Sequence, residues 1–153
     1  LTGNGTGSVT ISGLIFPTSD GSANQFMKTD GSGNLAFATA GATLNHSDIA
    51  DATTTVASSA TSVLNTFAVA TYRSAKYFIS IADATNSRFE IVEANVTHDG
   101  SEAYVSTFGS TTNYTGGLCV FSADVSGDDV RLRITNISDA STVFKFQRIA
   151  VDV

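Results

Sequence analysis

His46 and His98 are the only imidazoles in the chain. An imidazole set between a serine and an aspartate is the arrangement that activates a hydroxyl nucleophile. Ser and Asp abound, so composition alone admits such a site. No Gly-x-Ser-x-Gly elbow occurs, however, and nothing ties either histidine to a particular serine. His46 falls in a small, polar stretch and His98 in the expected turn His98-Asp99-Gly100, so the two are assigned to different regions. Asp30, Ser32 and Asn34 alternate like the opening of an EF-hand loop, but Gly41 stands where the closing bidentate Glu would be needed. Asp128-Asp129 is an acidic pair expected in a solvated turn. No metal, cofactor or catalytic residue is assigned from these groups.

The remaining chemistry-bearing residues have plainer readings. Cys119 is the sole cysteine, so it has no partner for an intrachain disulfide. Its neighbours Leu118, Val120 and Phe121 predict a buried, inert thiol. Gly31-Ser32-Gly33-Asn34-Leu35-Ala36 fits a loose dinucleotide-binding pattern but opens no helix of a βαβ unit. Asn4, Asn45, Asn95, Asn113 and Asn136 each begin an Asn-x-Ser/Thr triplet, a chance product of a Ser/Thr-rich chain. Tyr72, beside Arg73, and Tyr114 offer aromatic faces on which a sugar could stack. Tyr104 has a weaker claim because it is expected to be half-buried in a strand.

Composition narrows the elements that must carry these residues. Of 153 residues, 42% are hydrophobic and only 14% charged. Polarity comes from Ser, Thr, Asn and Gly, which favour strands and turns because their side chains compete for backbone hydrogen bonds. The net charge of −6 repels phosphate backbones and argues against a nucleic-acid partner. No apolar run reaches the ~18 residues of a membrane-spanning helix, so insertion by such a helix is not expected. No signal-peptide pattern is present and the first residue is Leu1, not Met, so the stretch is expected to be a fragment or a processed product.

Two regions differ in texture. Residues 1–41 are rich in turn formers with four apolar islands, Ser8–Ser12, Leu14–Phe16, Gln25–Lys28 and Asn34–Ala38. Asp-Gly and Gly-Asn pairs between them supply the positive φ of tight turns. This predicts a turn-rich β arm. Residues 42–57 read as a small, acidic linker, with at most one helical turn over 47–52. Residues 58–153 read as about seven or eight antiparallel strands with turns roughly every eight to twelve residues, a jelly-roll-like β-sandwich. The clearest alternation is Val130, Leu132 and Ile134 facing in, against Arg131 and Arg133 facing out. The expected core adds Phe67, Tyr77, Ile79, Phe89, Ile91, Val105, Phe121, Phe144 and Phe146.

An arm of roughly 40 residues without disulfide or metal seldom closes a core of its own. Val9, Ile11, Leu14, Phe16, Phe26, Met27, Leu35 and Phe37 therefore predict an oligomerisation or docking surface, covered by other copies of the chain. Such assembly would also account for the low charge.

The arm segment from Phe16-Pro17-Thr18-Ser19-Asp20-Gly21 through Phe26-Met27 to Thr29-Asp30-Gly31-Ser32-Gly33-Asn34-Leu35-Ala36-Phe37 resembles a repeat of virion structural and tail-fibre proteins of tailed bacteriophages, especially marine cyanobacterial ones. The head, from Thr66-Phe67 through Tyr77-Phe78-Ile79 to Val130-Arg131-Leu132, is more loosely similar to β-rich domains of the same proteins. The resemblance implies a structural component on the exterior of a phage particle, without enzymatic activity, associated with other virion proteins and commonly trimeric. Capsid decoration, as a head fibre, is the alternative placement. Recognition of host-surface glycans by the sandwich is the alternative function.

Overall fold

The computed structural model describes residues 9–39 and 44–153. Ser8 of the first island, the Asn4 triplet, Gly41 and the expected boundary between residues 41 and 42 lie outside them. The chain divides into two compact units, Leu1–Thr43 and Leu44–Val153. Every described regular element is a strand.

The first unit carries two hairpins. β1 (Thr10–Ile11) pairs with β2 (Leu14–Ile15), and β3 (Gln25–Thr29) pairs with β4 (Leu35–Thr39). Ser12 and Gly13 make the first turn, both at positive φ, as a two-residue hairpin requires. The hairpins are tied together where the Ile15 amide donates to the Gly33 carbonyl at 2.8 Å.

The second unit is an eight-stranded antiparallel β-sandwich. Its strands are β5 (Ser47–Val56), β6 (Thr61–Ala68), β7 (Tyr72–Asp83), β8 (Arg88–His98), β9 (Ala103–Thr112), β10 (Cys119–Ser126), β11 (Asp129–Asn136) and β12 (Thr142–Asp152). One sheet runs β5-β12-β7-β8-β9 and the other β10-β11-β6. The nested pairs β5·β12 and β6·β11 give the jelly-roll character, and the sheets extend beyond them by the hairpins β7-β8-β9 and β10-β11.

The core forms between the sheets because alternate residues of each strand point inward. Tyr77, Ile79 and Ile81 of β7 meet Phe144 and Phe146 of β12, and Val130, Leu132 and Ile134 of β11 face them, all buried. The Tyr77 and Phe146 rings pack edge to face at 5.7 Å. Side chains of this size each contribute about 1.5–3 kcal/mol by leaving water. Burial pushes the Tyr77 phenol well above its ordinary range, and its hydroxyl donates to Asn65 Oδ1 at 3.0 Å.

Buried polar groups largely find partners, although His98 Nδ1, Arg133 Nε and Arg148 Nε have none among the described residues. Asn136 is fully buried: its amide donates to the Val56 and Ala140 carbonyls at 2.9 Å, and its Oδ1 accepts from the Ser138 amide at 2.9 Å. This one side chain fixes the β5–β6 connection against the β11–β12 turn.

Three sequence expectations need correction here. The expected linker is largely strand β5, so the head begins at Leu44 and not at residue 58. The helical turn over 47–52 is strand as well. β5 is an edge strand paired only with β12, so much of it stays wet and its Ser, Asp and Thr residues imitate a linker. Phe89 is 51% exposed, because Val92, Ala94 and Val96 carry the inward phase of β8. Ile91 shares the Phe89 phase and is only half-buried.

Candidate functional site

The structure brings the two histidines to the same end of the sandwich, against the expectation of separate regions. His98 is not in the turn but closes β8 and is buried. Its Nε2 lies 2.7 Å from the Tyr72 carbonyl, which opens β7 beside Asp152. His46 Nδ1 lies 3.6 Å from the same Asp152 carboxylate and is largely exposed. The two rings thus engage different partners around one strand end, and His98 packs against Phe67 with ring centroids 6.2 Å apart. Asp99 keeps the turn role expected of it: its Oδ1 accepts from the Ser101 and Glu102 amides, both at 2.8 Å, which hold its carboxyl far below the usual range.

The EF-hand-like residues close on themselves. Asp30 Oδ1 accepts from the Ser32 amide at 2.7 Å and the Asn34 amide at 3.1 Å, and Asn34 Nδ2 donates to Asp30 Oδ2 at 2.6 Å. The Asn34 side chain, then these amides, lower the Asp30 pKa. The carboxylate oxygens therefore serve the β3–β4 loop. Among the described residues no group of three His, Cys, Asp or Glu side chains has metal-binding geometry. Asp128 and Asp129 sit exposed at the β10–β11 turn.

Cys119 is half-buried, and burial, with the Glu90 carboxylate adding to it, raises its thiol to about 12. Such a group is protonated at neutral pH and a poor nucleophile. The tyrosines named for sugar stacking are not brought together. Tyr72 is half-buried at the start of β7, with the Arg148 guanidinium 5.9 Å from its ring. Tyr114 follows β9 at the other end of the β7–β8 hairpin, and the Arg88 guanidinium covers its ring at 4.1 Å. Tyr104 is 52% exposed, not half-buried, and its hydroxyl reaches Glu102 and Asp99.

The arm presents its apolar residues on two short hairpins. Met27 lies opposite Phe37, and Phe26 opposite Ala38. Ile11 is 48% exposed, Leu14 39%, Phe26 47% and Met27 43%. Val9, Phe16, Leu35 and Phe37 are half-buried. Phe37 packs on Gly21, where a Cβ would stand 2.6 Å from its ring. None of these side chains is fully buried, because two-residue and five-residue strands have too little area to enclose them.

The residue that sequence reading missed is Arg148. Inward-facing Phe144 and Phe146 set a phase that also turns Arg148 into the sandwich, where it is 5% exposed. Its guanidinium reaches Asn65 Oδ1 and the Thr66 carbonyl, both at 2.9 Å, and pairs with Asp48. The period-two alternation carried that signal.

No protein-family model matches the chain. No curated protein sequence matches it either. Among solved structures, it is similar to the tailspike protein gp49 from Acinetobacter baumannii bacteriophage Fri1, a capsular polysaccharide depolymerase, with a TM-score of 0.36 and 20% identity over 70% of this chain and 18% of that one. It is also similar to the tailspike protein of Acinetobacter phage vB_ApiP_P1, with a TM-score of 0.38 and 18% identity over 76% of this chain and 23% of that one. A third is the tailspike protein of Acinetobacter baumannii phage AM24, with a TM-score of 0.35 and 14% identity over 69% and 26% of the two chains. The chain thus spans 18% to 26% of the length of these proteins.

The three matched proteins come from Acinetobacter phages, and none of the matches bears out the marine cyanobacterial attribution. One of them is a polysaccharide depolymerase, so the expectation of a chain without enzymatic activity does not stand.

Proposed function

We propose that this chain is a self-assembling subunit of an appendage on the exterior of a tailed-phage particle, joined to its neighbours through the arm. One observation carries the reading: the arm's apolar side chains, Ile11, Phe26 and Met27 above all, are left uncovered by their own hairpins. Single exposed hydrophobic residues are ordinary, but a run of them on short strands marks a surface meant for a partner. The likeness of the Asp-Gly turn motifs to phage fibre repeats makes other copies of the chain the natural cover, with a trimer as the favoured order. Other virion proteins would meet the assembled appendage.

Size-exclusion chromatography with light scattering on the full chain tests this. Phe26→Asp with Met27→Asp should lower the molar mass while the circular dichroism of the sandwich is retained. An unchanged mass would remove the arm from the assembly. Immunogold labelling of intact particles tests the exterior location, and label confined to disrupted particles would contradict it.

A further inference from the structure

The two outer faces of the sandwich are unlike. On β10-β11-β6 the outward residues include a closed ionic cluster: Arg131 grips Asp124 with two hydrogen bonds of 2.7 Å, and Arg133 adds one at 3.2 Å. On β5-β12-β7-β8-β9 the outward residues mix Ser, Thr, Asn and Gln with a set of exposed large apolar side chains. Ile49 lies directly opposite Ile149, at 58% and 50% exposure. Phe78 and Phe108 flank Glu93 across one row of the sheet. Val151 and Phe89 extend the surface toward its two ends. The concavities here are open troughs along this face, one of about 530 Å³ lined by Lys76, Asn95, Tyr104 and Ile149 among others, and another of about 530 Å³ lined by Ile49, Phe78 and Gln147 among others.

We propose that this face is an interface between the heads of neighbouring copies of the chain. Area is the first argument. Five strands about 4.8 Å apart, each about ten residues long at about 3.3 Å per residue, cover roughly 800 Å², and a standard stable interface takes about 800 Å² from each partner. Charge is the second. The chain carries a net charge of −6, which sets copies against each other. On this face the charges balance. Lys76 pairs with Glu93 at 2.5 Å and lies 5.3 Å from the Phe108 ring centroid, so both charges are met within the chain. Asp51 and Lys145 have no ion-pair partner among the described residues. They stand on adjacent strands, β5 and β12, two residues apart in register and so on the same face. One free acid and one free base side by side are complementary to the same pair on another copy. A sugar or an acidic partner would leave the isoleucines without apolar cover.

The proposal uses residues separate from the arm, so the two readings can fail independently. Sedimentation velocity over a concentration series, on the full chain, tests both. The face variant is Phe78→Ser with Ile149→Ser, and the arm variant is Phe26→Asp with Met27→Asp. All four positions are exposed, and urea unfolding confirms that each variant folds. The arm variant should still associate at high concentration through the heads. Adding the face substitutions should then shift its dissociation at least about tenfold upward in concentration, and Lys145→Glu should weaken it likewise. An arm variant that is monomeric at every concentration would overturn the head interface and leave the arm reading standing. So would face substitutions that change nothing in the arm-variant background. An arm variant identical to the unaltered chain would sink the arm reading alone, and an unaltered chain that is always monomeric would sink both.

Discussion

Arg148 of β12 donates a 2.9 Å hydrogen bond to Asn65 of β6, and so joins the two sheets through the interior. Asn65 Oδ1 also accepts from the Tyr77 hydroxyl at 3.0 Å. A buried guanidinium loses its hydration; Asn65, Thr66 and Asp48 replace it at the two terminal nitrogens, while Nε has no partner among the described residues.

Arg148→Ala should therefore cost about 3 kcal/mol, since it strands the polar atoms it served. Asp48 is partly exposed, with water available to it, so Asp48→Asn should cost about 1 kcal/mol or less. Urea unfolding of the two variants checks the order. Equal losses would contradict the bridging role of the arginine.

Acid should destabilise the head. Asp83 is held below the ordinary value of 3.8 by the Ser138 hydroxyl and the Asn86 amide, and Asp124 is held below it by Arg131. A lowered folded-state pKa means the unfolded chain binds protons first. The stabilisation is complete above the ordinary aspartate range and is lost as pH falls below it. Thermal unfolding should be flat from pH 7 to about pH 5 and drop steeply below about pH 4. A midpoint unchanged to pH 2 would refute this.

The all-β class and the sandwich were legible because alternation is strong where one face of a strand is dry. Val130, Leu132 and Ile134 against Arg131 and Arg133 show it most plainly. β5 was illegible for the opposite reason: an edge strand of Ser, Asp and Thr has no dry face long enough to show a period. Phe89 misled because residue type was read ahead of phase, and its neighbours Val92 and Ala94 set the phase. The meeting of His46 with the β7–β12 end could not be read at all. It depends on Asp152 closing the last strand beside Tyr72, a contact between the two extremes of the domain. The exposure of Ile11, Leu14, Phe26 and Met27 was legible from apolar content against length alone.

Cys119 should resist alkylation. With its thiol raised to about 12, the thiolate is scarce at pH 8. Iodoacetamide should label it more slowly in the folded chain than in urea, by roughly tenfold or more. Equal rates would show that the thiol is neither covered nor shifted.

Self-association is the claim on which the functional reading stands, and sedimentation equilibrium of the unaltered full chain measures it most directly. The account predicts a mass that is a whole-number multiple of 15.8 kDa, three being the favoured number, at micromolar concentration. A single species of 15.8 kDa at every concentration reached would contradict it.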